Sequence, residues 1–541
     1  MSVNPHYDYI IIGSGFGGSV SALRLAEKGY SVLVMEKGKW YKDKEFPKTN
    51  WNLKRWMWLP GLKLFGILKL TFFRHISVLS GVGVGGGSLV YANTLPKPKS
   101  QFFNHGSWAG LADWEKELEP HYETAWRMLG AAQNPMLEEA ELAMKDLAHS
   151  IDKDKAFEST KVAIYFGESG RTVDDPYFDG KGPTRTGCVG CGACMTGCRY
   201  NAKNTLDKNY LHLAQQLGVE ILAESKVSNV EPIGKVDGSE GYKITYHKST
   251  RWFSRSKTVT AKGIVFAGGV LGTVPLLLKL KRTSLPNLSP KVGDEVRSNN
   301  EALILNITLD REKDLSKGIA IGSIIDLDEN SHLEPVKYGA GSGFWRLLMM
   351  PMVSEKNFIL RILKLLLLPL TDPIRWLRVF FVNDFAKRSS VLLFMQHIDS
   401  TLKFKKGFLG MRSTLSSGKA PSAFIPEAHD IARKHAKITN SKSVVMLTET
   451  LTGIPSTAHI LGGAVMGKDA QTGVIDKNNK VFGYANMFVC DGSMISANPG
   501  VNPSLSITAI SERAMSKIGN KTPFAFRKPP LPAGRHGSRE D

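Results

Sequence analysis

Gly13, Gly15 and Gly18 stand directly after the apolar run 9–12, and Glu36 closes a second apolar run further on. Backbone without side chains can turn tightly after a buried strand, approach a pyrophosphate, and let the next helix pack close to the strand. A carboxylate at the place of Glu36 can reach ribose hydroxyls. Between them the pattern predicts a helix over 19–28 that ends at Gly29 and turns its first amides toward the phosphates. Together these residues make one dinucleotide-binding unit. A second group is Cys188, Cys191, Cys194 and Cys198, whose C-x2-C-x2-C-x3-C spacing is that of bacterial ferredoxins. Three readings stay open for it: an iron–sulfur cluster, a zinc site, or four reduced thiols packed near the cofactor. Arg199 stands where ferredoxins carry proline, and no second motif supplies a distal ligand. An iron–sulfur cluster would give the cofactor's electrons a way out.

The far end of the chain selects the nucleotide. Residues 486–490 read as a strand running into Asp491-Gly492-Ser, and 503–515 as the helix that follows. A cofactor domain that opens near residue 8 and closes near 515 must wrap around an inserted domain. FAD needs that second contact, whereas a simple NAD fold is usually contiguous. The glycine cluster 81–87 lets backbone lie against a flat ring system, and Ser88 and Asn93 can add hydrogen bonds at its end. Helical patterns cover 112–130 and 137–150, and short strands fill 219–266 before a helix over 273–280. Strand patterns at 302–309 and 391–398 belong to the insert. The expected fold is α/β: a Rossmann-type FAD-binding domain from 1–300 and 450–520, with an inserted mixed-sheet α+β substrate domain at 301–449. Residues 521–541, rich in Pro, Gly and Arg, read as a disordered tail.

With 541 residues the chain can build two domains. Its 70 Lys and Arg against 50 Asp and Glu leave a net charge of +20. The bases are scattered and no nucleic-acid motif accompanies them, so no nucleic-acid partner is expected. Anionic lipid suits the charge better. In 51–65 tryptophans interleave with bases, and 358–381 is leucine-rich with arginines. Neither offers the ~20 uninterrupted apolar residues of a membrane span, and Pro369 breaks the longer one. They read either as helices lying in a headgroup layer or as buried core helices whose bases snorkel. The first strand leaves no room for an apolar leader, and five cysteines do not suggest a secreted disulfide scaffold. A cytoplasmic protein, peripheral at a membrane, is expected.

Gly13 to Gly18, Gly81 to Asn93, Val296-Arg-Ser-Asn-Asn-Glu301, His459-Ile-Leu-Gly-Gly463 and Gly500-Val-Asn-Pro503 together resemble the glucose–methanol–choline (GMC) oxidoreductases, most closely the cholesterol oxidases with noncovalent FAD. The likeness runs over most of 7–310 and 440–518 and fades across 310–440. It implies FAD-dependent oxidation of the hydroxyl of a hydrophobic, sterol-like alcohol, with oxygen or another redox acceptor taking the electrons. It also implies that His459 faces the reactive edge of the flavin as proton acceptor, with Asn502 beside it. A neutral imidazole suits removal of a hydroxyl proton, and an amide can orient the hydroxyl without adding charge. The resemblance extends the cofactor set to Phe16, Gly85, Gly86, Val227, Gly268, Asp491, Gly492 and Pro503. Relatives of this kind can also isomerise the steroid double bond with a carboxylate, for which Glu334 and Glu355 are positional candidates. Two rival functions share the fold: an FAD/iron–sulfur dehydrogenase that hands electrons to another acceptor, and a lyase that keeps FAD as structure.

Overall fold

The computed structural model describes residues 6–398, 400–408, 410–416 and 420–521. Two seven-stranded sheets organise them. At the centre of the first is His6–Ile12, whose five interior residues are all buried. It pairs in parallel with Val32–Met35 on one side and Lys257–Phe266 on the other. Strands covered on both faces read as unbroken apolar runs, which is why 9–12 shows no alternation. Glu220–Leu222 extends the sheet beyond Val32–Met35, and Met487–Val489 pairs in parallel with Lys257–Phe266. An antiparallel hairpin, Ser225–Pro232 with Tyr242–Lys248, hangs on the start of Lys257–Phe266. Three distant stretches of chain, 6–35, 220–266 and 487–489, thus meet in one sheet, as a discontinuous cofactor domain requires. The helices Phe16–Glu27 and Ser504–Ser516 pack together over it, tied by Arg24 to Glu512 at 2.7 Å.

The second sheet runs in the order Met349–Pro351, Ser441–Met446, Ala302–Thr308, Ser389–Gln396, Ser331–Val336, Ser323–Asp326, Phe157–Ser159. Its pairings are antiparallel throughout, where a mixed sheet was expected. Alternation along the strands divides its faces. Ala302, Ile304, Leu392 and Phe394 pack against the helices Glu139–Ser150 and Pro426–Ile438. Leu303, Leu305, Val391 and Leu393 face a large cavity between the sheets. Glu139–Ser150 and Phe157–Ser159 lie in the stretch assigned from sequence to the cofactor domain, yet they complete the second one. Met144 and Leu147 carry the helix there, and burying each is worth roughly 1.5–3 kcal/mol. A buried ion pair, Lys337 to Glu141 at 2.6 Å, fixes its register on the sheet.

Among the described residues no helix is long and apolar enough to cross a membrane. Of the tail expected from 521, all but Lys521 lies outside the described residues.

Candidate active site

The cavity between the sheets has a volume of about 960 Å³. Its nucleotide end is built from the first glycine turn. Gly13 has φ +113°, and a Cβ there would fall 2.3 Å from the Ala267 carbonyl oxygen. A Cβ on Gly18 would fall 2.2 Å from the Gly13 oxygen, so both positions need glycine for packing. Gly15 differs, for nothing lies within 4 Å of its would-be Cβ, which points into the cavity. Glu36 borders the same space. Its carboxylate accepts hydrogen bonds from the Ser14 amide and hydroxyl at 3.2 and 2.9 Å and from the Gly38 amide at 2.7 Å.

The second glycine loop docks on the first. The Gly85 amide donates to Ser14 Oγ at 3.2 Å, and a Cβ on Gly86 would meet Gly15 Cα at 2.6 Å. Gly13, Gly15, Phe16, Glu36, Gly86, Asn93, Val227, Gly268, His459, Asp491, Gly492, Asn502 and Pro503 all reach the cavity. Gly18, Gly85 and Ser88 do not. Ser88 instead holds its own loop, donating to the Gly85 carbonyl at 2.7 Å and accepting from the Leu206 amide at 3.1 Å. Asp491 spends its oxygens on the Gly269 amide, Thr273 and Ser493, and burial pushes its carboxyl above the usual range.

At the other end of the cavity stand His459 and Asn502. The His459 amide donates to Thr457 Oγ1 at 2.9 Å, which fixes the loop ahead of Gly462 and Gly463. Its Nδ1 lies 3.3 Å from Glu301 Oε2, within ion-pair distance but without a hydrogen bond of good geometry, and the residue lines the cavity. Glu301 also accepts from Thr457 Oγ1 and from the Ala458 amide at 3.3 Å. Asn502 is buried, its Oδ1 has no hydrogen-bond partner, and Glu334 sits beside it. Burial first, and the charge of Glu301 second, push the Glu334 carboxyl up to about 8 against the opposing contact with Asn502. Glu449 is also pushed up to about 8, by burial and then by Glu301, although it accepts the Ser456 amide at 3.2 Å. His332 Nε2 lies 3.8 Å from Glu334, and burial pushes that imidazole down to about 3. Of the two isomerase candidates, Glu355 pairs with Lys364 at 2.8 Å on the surface, while Glu334 is inside. Glu449 and His332 were not singled out from sequence, and Glu301 entered only as the end of the block 296–301.

Three readings were open for the cysteine segment, and nothing in the structure supports the iron–sulfur or the zinc one. Among the described residues no three Cys, His, Asp or Glu side chains are placed to share a metal ion. All four thiols are free. Burial pushes the Cys188 thiol up to about 12, Cys191 up to about 11, and Cys194 in the same direction. Gly190 and Gly192 in this segment serve backbone contacts. Gly192 donates to the Gly318 carbonyl at 2.8 Å, Gly318 donates back to Gly190 at 2.8 Å, and a Cβ on Gly192 would fall 2.0 Å from the Ser316 oxygen. The segment therefore clasps the strand-to-loop region of the second domain. Lys203, fully buried, joins it to the second glycine loop by donating to the Leu89, Tyr91 and Cys194 carbonyls, and burial pushes its amine down to about 7.

Models of the GMC oxidoreductase family match residues 184–296 and 395–511, and a model of the NAD(P)-binding Rossmann-like domain matches 11–39. The cholesterol oxidase of Acinetobacter baumannii is 43% identical over 533 residues, 96% of each chain. That of Mycobacterium tuberculosis is 42% identical over 546 residues, 98% of this chain and 93% of the other. The chain belongs to the GMC oxidoreductase family. It is an oxidoreductase that acts on CH–OH groups with FAD. Two solved structures share the fold alone: formate oxidase, with a TM-score of 0.61 at 12% identity over 95% of this chain and 98% of that one, and pyridoxine 4-oxidase from Mesorbium loti, with 0.59 at 14% over 94% and 98%.

The residues present suit an FAD. Gly15 leaves open space at the head of the helix Phe16–Glu27, where a phosphate gains most from the amides. Asn93, at φ +74°, is fully buried at the cavity wall beside Cys194, with neither end of its amide in a hydrogen bond of good geometry. Such an orphaned amide costs stability unless a ligand satisfies it.

Proposed function

We propose that this protein oxidises the hydroxyl of a hydrophobic, sterol-like alcohol taken from a bilayer, with oxygen as final acceptor. The observation that carries this reading is the wall of the cavity opposite the glycine turns. Leu303, Leu305, Val336, Trp345, Met349 and Leu393 make it apolar, and His459 and Asn502 are the polar groups at its end. Such a space takes a large rigid apolar body by one hydroxyl. Relatives that bear the name cholesterol oxidase support the substrate class.

Bound FAD would supply the acceptor for the hydride leaving the carbinol carbon. Gly13, Gly15, Phe16, Glu36, Gly86, Asn93, Val227, Gly268, Asp491, Gly492 and Pro503 would hold it. The protein's own part is proton handling and desolvation. His459 takes the hydroxyl proton on Nε2, and Asn502 orients the oxygen. The Glu301 carboxylate, close to Nδ1, compensates the imidazolium that forms. The apolar wall keeps water from the reacting carbon.

The test is anaerobic flavin bleaching on addition of a sterol. His459→Gln should retain FAD and lower the single-turnover rate by roughly 10²-fold or more. Equal rates in wild type and variant would remove His459 from the chemistry. A flavin that no sterol bleaches would remove the substrate class.

A further inference from the structure

The helices Phe358–Thr371 and Pro373–Phe380 carry an apolar surface turned outward. Of the 28 large hydrophobic side chains exposed among the described residues, ten lie between 358 and 381. Ile359 is 74% exposed, Leu370 71%, and Phe381 73%. Isolated exposed leucines are ordinary, but a contiguous set on two successive helices marks a face that something covers.

The inner side of the same helices is anchored. Trp376 and Val379 belong to the core cluster of Leu68, Leu305, Trp345, Met349 and Met446, each of which also lines the cavity. The helix pair is therefore the outer layer of the cavity wall. Arg361, which sequence alone would count among lipid-facing bases, points inward instead. Its guanidinium donates to the Thr450 carbonyl at 2.6 Å and to the Glu355 and Lys356 carbonyls at 3.0 Å.

Charge selects the occupant. Segment 355–381 holds five bases against two acids, within a chain of net charge +20. Both acids are already paired, Glu355 with Lys364 at 2.8 Å and Asp372 with Lys442 at 3.3 Å. Lys356 and Arg378 are exposed. A second copy of the chain would bring like charge against like. Fourteen residues of helix span only about 21 Å, short of the ~30 Å hydrocarbon layer, so the first helix lies along a surface and does not cross it.

We infer that the outer face of these two helices seats the protein on a bilayer bearing anionic headgroups. The leucines enter the acyl boundary while the bases remain at the headgroups. That the seated face also delivers substrate to the cavity rests on the sterol reading above. Seating itself does not.

The experiment uses the FAD-loaded protein and vesicles free of sterol, of phosphatidylcholine alone or mixed with phosphatidylserine. Wild type should sediment with the mixed vesicles, and binding should weaken in high salt. Leu366→Ser, Leu370→Ser and Leu377→Ser combined should lower the bound-to-free ratio at least about tenfold, with flavin content, circular dichroism and turnover of detergent-dispersed sterol unchanged. Arg378→Glu should lower it less, and only at low salt. Unchanged binding of the folded triple variant would overturn the inference. So would a wild type that ignores all vesicles but dimerises through this face, its dimer lost in the triple variant. Vesicle binding without any sterol oxidation would overturn the substrate reading and leave the docking face standing.

Discussion

Gly15 and Gly17 are two residues apart on one turn, and the structure assigns them opposite sensitivities. A Cβ at Gly17 would lie 1.9 Å from the Cys490 carbonyl oxygen and 2.6 Å from its carbon. Contacts below 3 Å do not persist, so the helix Phe16–Glu27 and the end of the strand Met487–Val489 would have to separate by about 1 Å. Overpacking of that kind costs typically 1–3 kcal/mol and more against rigid backbone, so about 3 kcal/mol or above is expected for Gly17→Ala. A Cβ at Gly15 meets nothing within 4 Å, and φ −72° suits any residue. Gly15→Val should therefore leave the apoprotein within about 1 kcal/mol of wild type, the scale of a poorer helix cap. Its cost falls on the cofactor. Displacing a pyrophosphate from two amide contacts of about 1.5–3 kcal/mol each weakens binding by roughly 10²–10⁴-fold. The assay pairs the flavin-to-protein absorbance ratio with thermal melts of flavin-stripped protein, since bound FAD would itself raise the melt. Gly15→Val should purify folded and colourless, and Gly17→Ala should melt early. A yellow Gly15→Val protein with full flavin content, or a stripped one that melts as low as Gly17→Ala, would refute the assignment.

Two further outcomes follow from buried groups. Glu449, held near 8 against an ordinary 4.5, binds a proton in the folded state that the unfolded chain releases. Its burial therefore destabilises progressively as pH rises from about 4.5 through 8. Glu449→Gln should be more stable than wild type at pH 9, by up to about 5 kcal/mol, and should differ least below pH 4.5; parallel unfolding curves at every pH would contradict this. For the cysteines, protein purified without oxygen should contain neither iron nor zinc, and Cys191→Ser should keep its flavin and its visible spectrum. Iron together with acid-labile sulfide, lost in that variant, would restore the cluster.

What the sequence disclosed was local or periodic. The nucleotide unit is contiguous from 9 to 36, so its turn, helix and acid could be read in order. Alternation in 302–309 and 391–398 likewise announced strands, and it is this alternation that parts the cavity face from the helix-covered face. The acid cluster could not be read in this way. Glu301, Glu334, Glu449 and His459 come from four segments, and the protonation of Glu334 and Glu449 depends on burial that exists only once both sheets are assembled. The cysteine spacing was legible, but nothing among the described residues supports the metal readings of it. Glycine permits sulfurs to converge and equally permits two backbones to touch, and the contact of Gly192 with 316–318 is of the second kind. In 51–65 the tryptophans divide, with Trp56 and Trp58 in the interior and Trp51 half exposed. Composition alone cannot split a segment between a core and a surface.

The acid cluster and the apolar wall have a common cause. When a hydroxyl gives its proton to His459, positive charge appears on the imidazole and negative charge gathers on the substrate oxygen. One carboxylate behind the ring favours the first of these changes, and Glu301 stands there, 3.3 Å from Nδ1. Further carboxylates near the oxygen would oppose the second. Glu334 and Glu449, both held near 8, stay largely protonated at neutral pH and so add little negative charge to the site. What keeps them neutral is first desolvation and then the charge of Glu301 itself. Desolvation comes from the same packing that lines this part of the cavity. A substitution that opened the wall to solvent would therefore do more than loosen a hydrophobic substrate. It would let Glu334 ionise beside Asn502 and place a second negative charge where the reacting oxygen needs none.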